Sequence, residues 1–228
     1  MGKNITLTAP DGHKLGAYWA DPAGTPKGGV VVIQEIFGVN HHIRSVCDRL
    51  AAAGYAAVAP ALFDRVEPGF ECGYSPEEVT AARRFVQNPN FGGFMQDAAS
   101  AMGELKSAGP VSILGFCLGG TVAFGAACNL EGLASSVCYY GGAIAKMADQ
   151  KPKCPTQMHF GALDTHIPMS DVEMIRAKRP ECDIHVYPGA AHGFSCDERS
   201  SFNKEAAAEA WTRTLEWIGR ASAKPGKA

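Results

Sequence analysis

Cys117 lies in the run Ile113-Leu114-Gly115-Phe116-Cys117-Leu118-Gly119-Gly120, between an apolar stretch (Val111 to Leu114) and a helix-like one (Thr121 to Cys128). The pattern is Gly-x-nucleophile-x-Gly in the setting of strand, sharp turn and helix, which defines a nucleophile elbow. Glycine two places before and two places after the nucleophile has a steric reason, since side chains there would meet neighbouring backbone. A thiol at the tip is a strong nucleophile once deprotonated and departs readily as a thiolate, which suits acyl transfer. The bland alternative is a structural cysteine acting as a small hydrophobe.

Two further segments supply an acid and a base in the chain order nucleophile, acid, histidine. Asp164 stands in Phe160-Gly161-Ala162-Leu163-Asp164-Thr165-His166, just past an apolar strand and a glycine turn. His192 stands in Tyr187-Pro188-Gly189-Ala190-Ala191-His192-Gly193-Phe194, again in a loop after a strand. His192 would take the thiol proton and return it to the leaving group, while Asp164 would fix the imidazole tautomer. Singly, the Asp reads as a helix cap and the His as a surface loop residue; order and strand-end placement argue for joint action. His166, two residues from Asp164, is the rival base. His41 and His42 fall in the first turns of a helix and read as structural, and His13, His159 and His185 have no partner that sequence identifies.

The fourth segment is Ile33-Gln34-Glu35-Ile36-Phe37-Gly38-Val39-Asn40, after the first buried strand. With an elbow of this kind that loop supplies one oxyanion N–H and the residue after the nucleophile supplies the other, which here means Ile36 and Leu118. Glu35 is unusual there, because a carboxylate beside a nucleophile repels a thiolate and holds the nucleophile back until something moves it. Its bland reading is a loop acid or the partner of an arginine.

These residues need strands to carry them. Ile5 to Ala9 and Lys14 to Ala20 read as strands around Pro10-Asp11-Gly12, and Val30 to Ile33 as a strand buried on both faces. Asn40 caps a helix to about Ala53, followed by a strand from Tyr55 to Ala59 and an irregular segment from Pro60 to Gly73. Ser75-Pro76-Glu77-Glu78 opens a helix as N-cap, N1 proline and first-turn acids, and another helix spans Phe94 to Ala108. Val111 to Leu114, Ser135 to Tyr139, Thr156 to Phe160 and Asp183 to Tyr187 are the later strands, with a helix near Ser170 to Ala177. Ser201 to Arg220 reads as a long amphipathic helix anchored by Trp211, Leu215, Trp217 and Ile218. Alternating strands and helices imply an α/β chain, a doubly wound, mostly parallel sheet with helices on both faces and no large lid domain.

The 228 residues fit a single domain over 1–220 with a short tail at 221–228. A net charge of −2, with 46% hydrophobic and 19% charged residues, favours neither nucleic acid nor an anionic membrane as partner. No signal-peptide core is present at the start, and no stretch nears the roughly 18 to 20 apolar residues of a membrane span. Met1-Gly2-x-x-x-Thr6 formally meets a myristoylation pattern, which is too short to weigh. The eight cysteines form no Cys-x-x-Cys pair and no Cys/His metal spacing, which points to a reducing cytoplasm and no resident metal.

The sequence resembles the dienelactone hydrolases (carboxymethylenebutenolidases), of the α/β-hydrolase superfamily. The likeness rests on Gln34-Glu35-Ile36-Phe37-Gly38-Val39-Asn40, Gly54 to Pro60, Gly115 to Gly120, Tyr139-Tyr140-Gly141, Asp164, His192-Gly193-Phe194 and Arg213-Thr214-Leu215, and runs from about Asp11 to Ile218. It implies a cofactor-free monomer with a Cys117-His192-Asp164 triad that opens dienelactone to maleylacetate through a cysteinyl thioester, in the breakdown of aromatic compounds. It also implies that an anionic substrate displaces Glu35, which then helps to deprotonate Cys117. A broader carboxylesterase or thioesterase on the same scaffold is the alternative, and a non-catalytic ligand sensor a further one. The chain departs from the family where two arginines hold the substrate carboxylate. Arg83 and Arg84 stand a residue or two from the first place, and Cys196 occupies the second, with Arg199 three residues on.

Overall fold

The computed structural model describes residues 2–223, which fall into two compact units, one ending at Val111 and one beginning at Ser112. The first carries β1 (Lys3–Thr8), β2 (Lys14–Ala20), β3 (Gly29–Ile33) and β4 (Ala56–Pro60), in the spatial order β1-β2-β4-β3. β1 pairs antiparallel with β2 and β2 antiparallel with β4, whereas β3 and β4 run parallel in the register Val30↔Ala57 and Val31↔Val58. Every residue of β3 and β4 is buried, as a continuous β-branched and alanine run requires.

Helix α1 (His41–Ala52) starts where Asn40 accepts the Ile43 N–H, and buries Ile43, Val46, Cys47 and Leu50. Helix α2 (Pro76–Arg83) opens on a capping box between Ser75 and Glu78, as its sequence predicts. Helix α3 (Phe91–Glu104) begins one turn earlier than periodicity suggests. Gly92 and Gly93 read as breakers, but the Asn90 side chain accepts the Gly93 N–H at 2.9 Å and caps a helix through them. Lys106–Ala108 is a separate 3₁₀ turn, so the single helix to Ala108 is corrected to two pieces.

The second unit carries β5 (Val111–Phe116, its first residue closing the first unit), β6 (Leu133–Tyr139), β7 (Thr156–Gly161) and β8 (Asp183–Tyr187), adjacent in that order. β6/β7 and β7/β8 are parallel, so parallel pairing prevails in the α/β part of the chain. Between the strands lie α4 (Leu118–Asn129), the four-residue α5 (Ile144–Met147), absent from the sequence reading, and α6 (Met169–Lys178).

Helix α7 (Lys204–Ala223) starts at Asn203, whose side chain accepts the Ala206 N–H at 3.0 Å, three residues later than Ser201. Its buried stripe is Ala206, Ala210, Thr214 and Ile218, so of the four expected anchors only Ile218 is fully buried. Small residues at i, i+4 spacing allow close approach, close enough for the Thr214 hydroxyl to reach Tyr139 Oη at 2.7 Å. Residues 221–223 belong to this helix, and the rest of the expected tail lies outside the described residues.

Candidate active site

Cys117 leaves β5 at φ 54° and ψ −113°, the N-cap of α4. A non-glycine residue in the left-handed half of conformational space costs on the order of 1–3 kcal/mol and persists only where its surroundings fix it. Here the Cys117 N–H donates to Tyr139 O at 3.0 Å, and its carbonyl accepts the Thr121 N–H at 3.2 Å. A Cβ at Gly115 would lie 2.0 Å from Gly119 O, and one at Gly120 would lie 2.4 Å from Tyr139 O. The glycines thus let strand, turn and helix touch. Leu118, the first residue of α4, presents one of the N–H groups that a helix start leaves unpaired. That N–H and the positive end of the helix serve negative charge developing in front of the sulfur.

The acid and histidine loops are tied to each other. Gly161 packs where a Cβ would be 2.4 Å from Ala190 O, and the Leu163 N–H donates to the same carbonyl at 2.9 Å. Tyr187 O accepts N–H groups from both loops, Ala162 at 2.9 Å and Ala190 at 3.2 Å. Asp164 and His192, 28 residues apart, meet as a result, with His192 Nδ1 donating to Asp164 Oδ2 at 2.7 Å. Asp164 Oδ1 accepts the His166 N–H at 2.8 Å and the Ile167 N–H at 3.2 Å. The His166 imidazole stands off at 3.7 Å from Asp164 and is two-thirds exposed, so the rivalry between the two histidines falls to His192.

The His192 imidazole is also hydrogen-bonded to Cys117. Burial opposes its charged form, but the bonds to Asp164 and Cys117 outweigh this and raise its pKa to about 10. Burial likewise opposes an ionised Asp164, yet His192 and the two backbone N–H groups hold its carboxyl below the usual range. This geometry favours an imidazolium between a carboxylate and a sulfur.

Two neighbours steady the ring, and sequence reasoning gave neither a role. Tyr140, fully buried at φ 37°, packs its ring 5.1 Å from the imidazole and shares a 2.7 Å hydrogen bond with Ser195. Deeper, His159 Nδ1 meets Tyr187 Oη at 2.9 Å and Nε2 meets Gln157 at 3.0 Å, so His159 does have partners. An isolated tyrosine or histidine in an apolar run carries no sign of such a network. The one available signal was the Tyr-Tyr-Gly run at the end of β6.

Arg199 approaches the histidine loop from one side. A Cβ at Gly193 (φ 77°) would lie 2.5 Å from the guanidinium, so the glycine leaves room for the arginine. Cys196 is fully buried.

The remaining expected site residues belong to the first unit. Glu35 is 1% exposed, and Tyr74 Oη donates to its Oε2 at 3.5 Å. The loop that carries Glu35 and Ile36 is braced along its length. Gln34 Oε1 accepts the Leu62 N–H at 3.0 Å, Phe37 O accepts the Cys72 N–H at 3.1 Å, and Asn40 Nδ2 donates to Tyr74 Oη at 3.0 Å. Gly38 (φ 77°) is required there, since a Cβ would sit 2.1 Å from Phe70 O. The segment from Pro60 to Gly73 is therefore a brace, although it contains little regular structure. Within it Arg65 bridges Asp11 and the buried Asp97, each at 2.8 Å. Arg84 is engaged by Glu67 and lies over the Phe85 ring at 4.6 Å, while Arg83 is exposed at the end of α2.

Comparison with known proteins agrees with this architecture. The model of the Dienelactone hydrolase family matches residues 15–222. A Synechocystis protein named "Putative carboxymethylenebutenolidase" is 36% identical, covering 94% of this chain and 95% of its own length. The "Carboxymethylenebutenolidase" of Pseudomonas putida is 31% identical, covering 98% and 99%. A crystal structure from Klebsiella pneumoniae, "Putative Dienelactone Hydrolase", superposes with a TM-score of 0.83 at 29% identity, covering 96% of this chain and 99% of that one.

Proposed function

This chain belongs to the dienelactone hydrolase family and is a carboxylic ester hydrolase, and on that premise we propose that it opens a small anionic lactone, dienelactone to maleylacetate, through a cysteinyl thioester on Cys117. The observation that carries the reading is the hydrogen-bonded line from Asp164 through His192 to Cys117. His192 holds the thiol proton while the sulfur attacks the lactone carbonyl. Negative charge develops on the carbonyl oxygen in front of the Leu118 N–H, and the loop after β3 supplies Ile36 for the same purpose. The ring C–O bond breaks, the enol oxygen takes the proton from His192, and the acyl group remains on sulfur. Water then adds to the thioester with His192 as base, releasing the second carboxylate and the thiol. Neither step requires a cofactor.

Arg199 is the proposed anchor for the substrate carboxylate, because it already lies against the histidine loop. Arg84 is the weakest of the three arginines, since Glu67 engages it. Family resemblance assigns Glu35 the role of holding the nucleophile back until an anion arrives. Its burial and its bond to Tyr74 are consistent with a carboxylate kept in a defined place.

A second reading, a broader carboxylesterase or thioesterase, is favoured by Cys196, a buried residue where the family places an arginine. Hydrolysis of cis- and trans-dienelactone measured beside simple aryl esters separates the two. Good aryl-ester turnover with none on dienelactone would reject the narrow reading. Cys117→Ala abolishes turnover and acyl-enzyme formation on the proposed mechanism, and surviving activity would refute it. Glu35→Gln raises the reactivity of the thiol toward iodoacetamide; unchanged kinetics and reactivity would remove the gate.

A further inference from the structure

Asp164, His166 and His192 form a cluster whose ligand atoms all lie within 4.8 Å of one another. Catalysis as proposed uses the first and the third of these and leaves His166 idle. The His166 ring is two-thirds exposed, its Nδ1 stands 3.7 Å from Asp164 Oδ1, and its centroid lies 5.1 Å from that of His192 at an angle of 48°. The two imidazoles are therefore not stacked but converge on one carboxylate.

We propose that Asp164, His166 and His192 form an inhibitory site for a zinc-type divalent cation, which shuts the enzyme off by capturing its histidine. The ligand set is two imidazole nitrogens and one carboxylate oxygen, which suits zinc and leaves an open position for water. Bonds of about 2.0–2.2 Å around a tetrahedral ion place ligand atoms about 3.4 Å apart. Closing the cluster to that size requires a swing of His166, which its exposed side chain permits, and a small opening of the 2.7 Å contact between His192 and Asp164. Asp164 already accepts three hydrogen bonds, and a carboxylate has about four acceptor positions, so one is left for a metal.

The balance of the binding step explains the inhibition. As zinc bonds to His192 Nδ1, the proton there leaves to solvent and the Nδ1–H···Oδ2 bond is lost. The neutral metal-bound ring carries its remaining proton on Nε2, so it cannot accept the proton of Cys117. No group is oxidised or reduced, and a chelator reverses the step. The inhibition rests on the triad reading above, but the binding does not.

The experiment uses tag-free full-length protein and zinc chloride. Calorimetry on Cys117→Ala, which removes the competing thiol, is expected to show one zinc ion per chain, and the double variant with His166→Ala is expected to lose it. In activity assays on the ester the enzyme turns over best, zinc inhibits and EDTA restores. His166→Ala keeps zinc-free turnover but needs about tenfold or more zinc for the same inhibition. Absence of zinc binding by Cys117→Ala overturns the site, as does equal zinc sensitivity in His166→Ala, which would place the metal on the thiol. If the triad reading itself failed, the calorimetric arm would still show a His166-dependent ion.

Discussion

The Tyr140 hydroxyl and Ser195 Oγ share a 2.7 Å hydrogen bond that joins the end of β6 to the loop three residues beyond His192. Tyr140 holds φ 37° to do so, with its ring against the imidazole and against Phe194 at 5.4 Å. The bond therefore acts on the position of His192 and on no reacting atom. Tyr140→Phe keeps the ring and deletes the bond, for a loss of about 1 kcal/mol in stability. If Tyr140 only packs, kcat is unchanged. If it positions the base, kcat falls while KM holds, and the alkylation rate of Cys117 falls with it.

Asp164→Asn tests the tautomer argument. An amide in place of the carboxylate can donate where Asp164 accepts, and it removes the charge that supports an imidazolium. Turnover is expected to fall on the order of 10³–10⁴-fold with the fold intact by circular dichroism. A loss of less than tenfold would mean that another group orients the base.

Gly115→Ala tests the elbow without touching chemistry. The new methyl would lie 2.0 Å from Gly119 O, a backbone atom at the start of α4 that cannot yield without moving Cys117. Overpacking of this kind costs on the order of 1–3 kcal/mol, read as a lower urea midpoint, with activity falling as the sulfur shifts. An unchanged midpoint would show that strand and helix can part here.

His159 gives the protein an acid limit. It is fully buried, and burial, with the charges of His185 and Arg213, holds its pKa well below the usual imidazole range. The folded state keeps it neutral, whereas the unfolded chain takes up a proton below about pH 6.5. Unfolding is thus favoured as pH falls through that value, by up to about 1.4 kcal/mol per pH unit from this one group. Urea midpoints between pH 7.5 and 5 should drop more steeply for the native chain than for His159→Gln. Parallel slopes would mean that His159 is charged in the fold.

Much of the site was legible because it is written in short-range patterns. The elbow glycines, the order of Cys117, Asp164 and His192, and the caps at Asn40 and Ser75 each depend on residues within a turn or two of one another. Where two local signals competed, sequence chose wrongly. The glycines at the start of α3 hid the cap at Asn90, and the tryptophans of α7 drew attention from a stripe of small residues. Apolar size reports what can be buried, but close packing of the helix depends on what the facing surface leaves room for.

Only tertiary structure decided the rest. That His192 and not His166 pairs with Asp164, that Tyr140 is strained against the imidazole, and that His159 is held by Tyr187 and Gln157 are distances between residues far apart in the chain. Sequence determined the kinds of group and the strand ends that carry them, since hydrogen bonding and side-chain volume act locally. Packing of whole elements fixes distances to a few tenths of an ångström. That precision separates a proton acceptor from an exposed imidazole two residues past the same carboxylate.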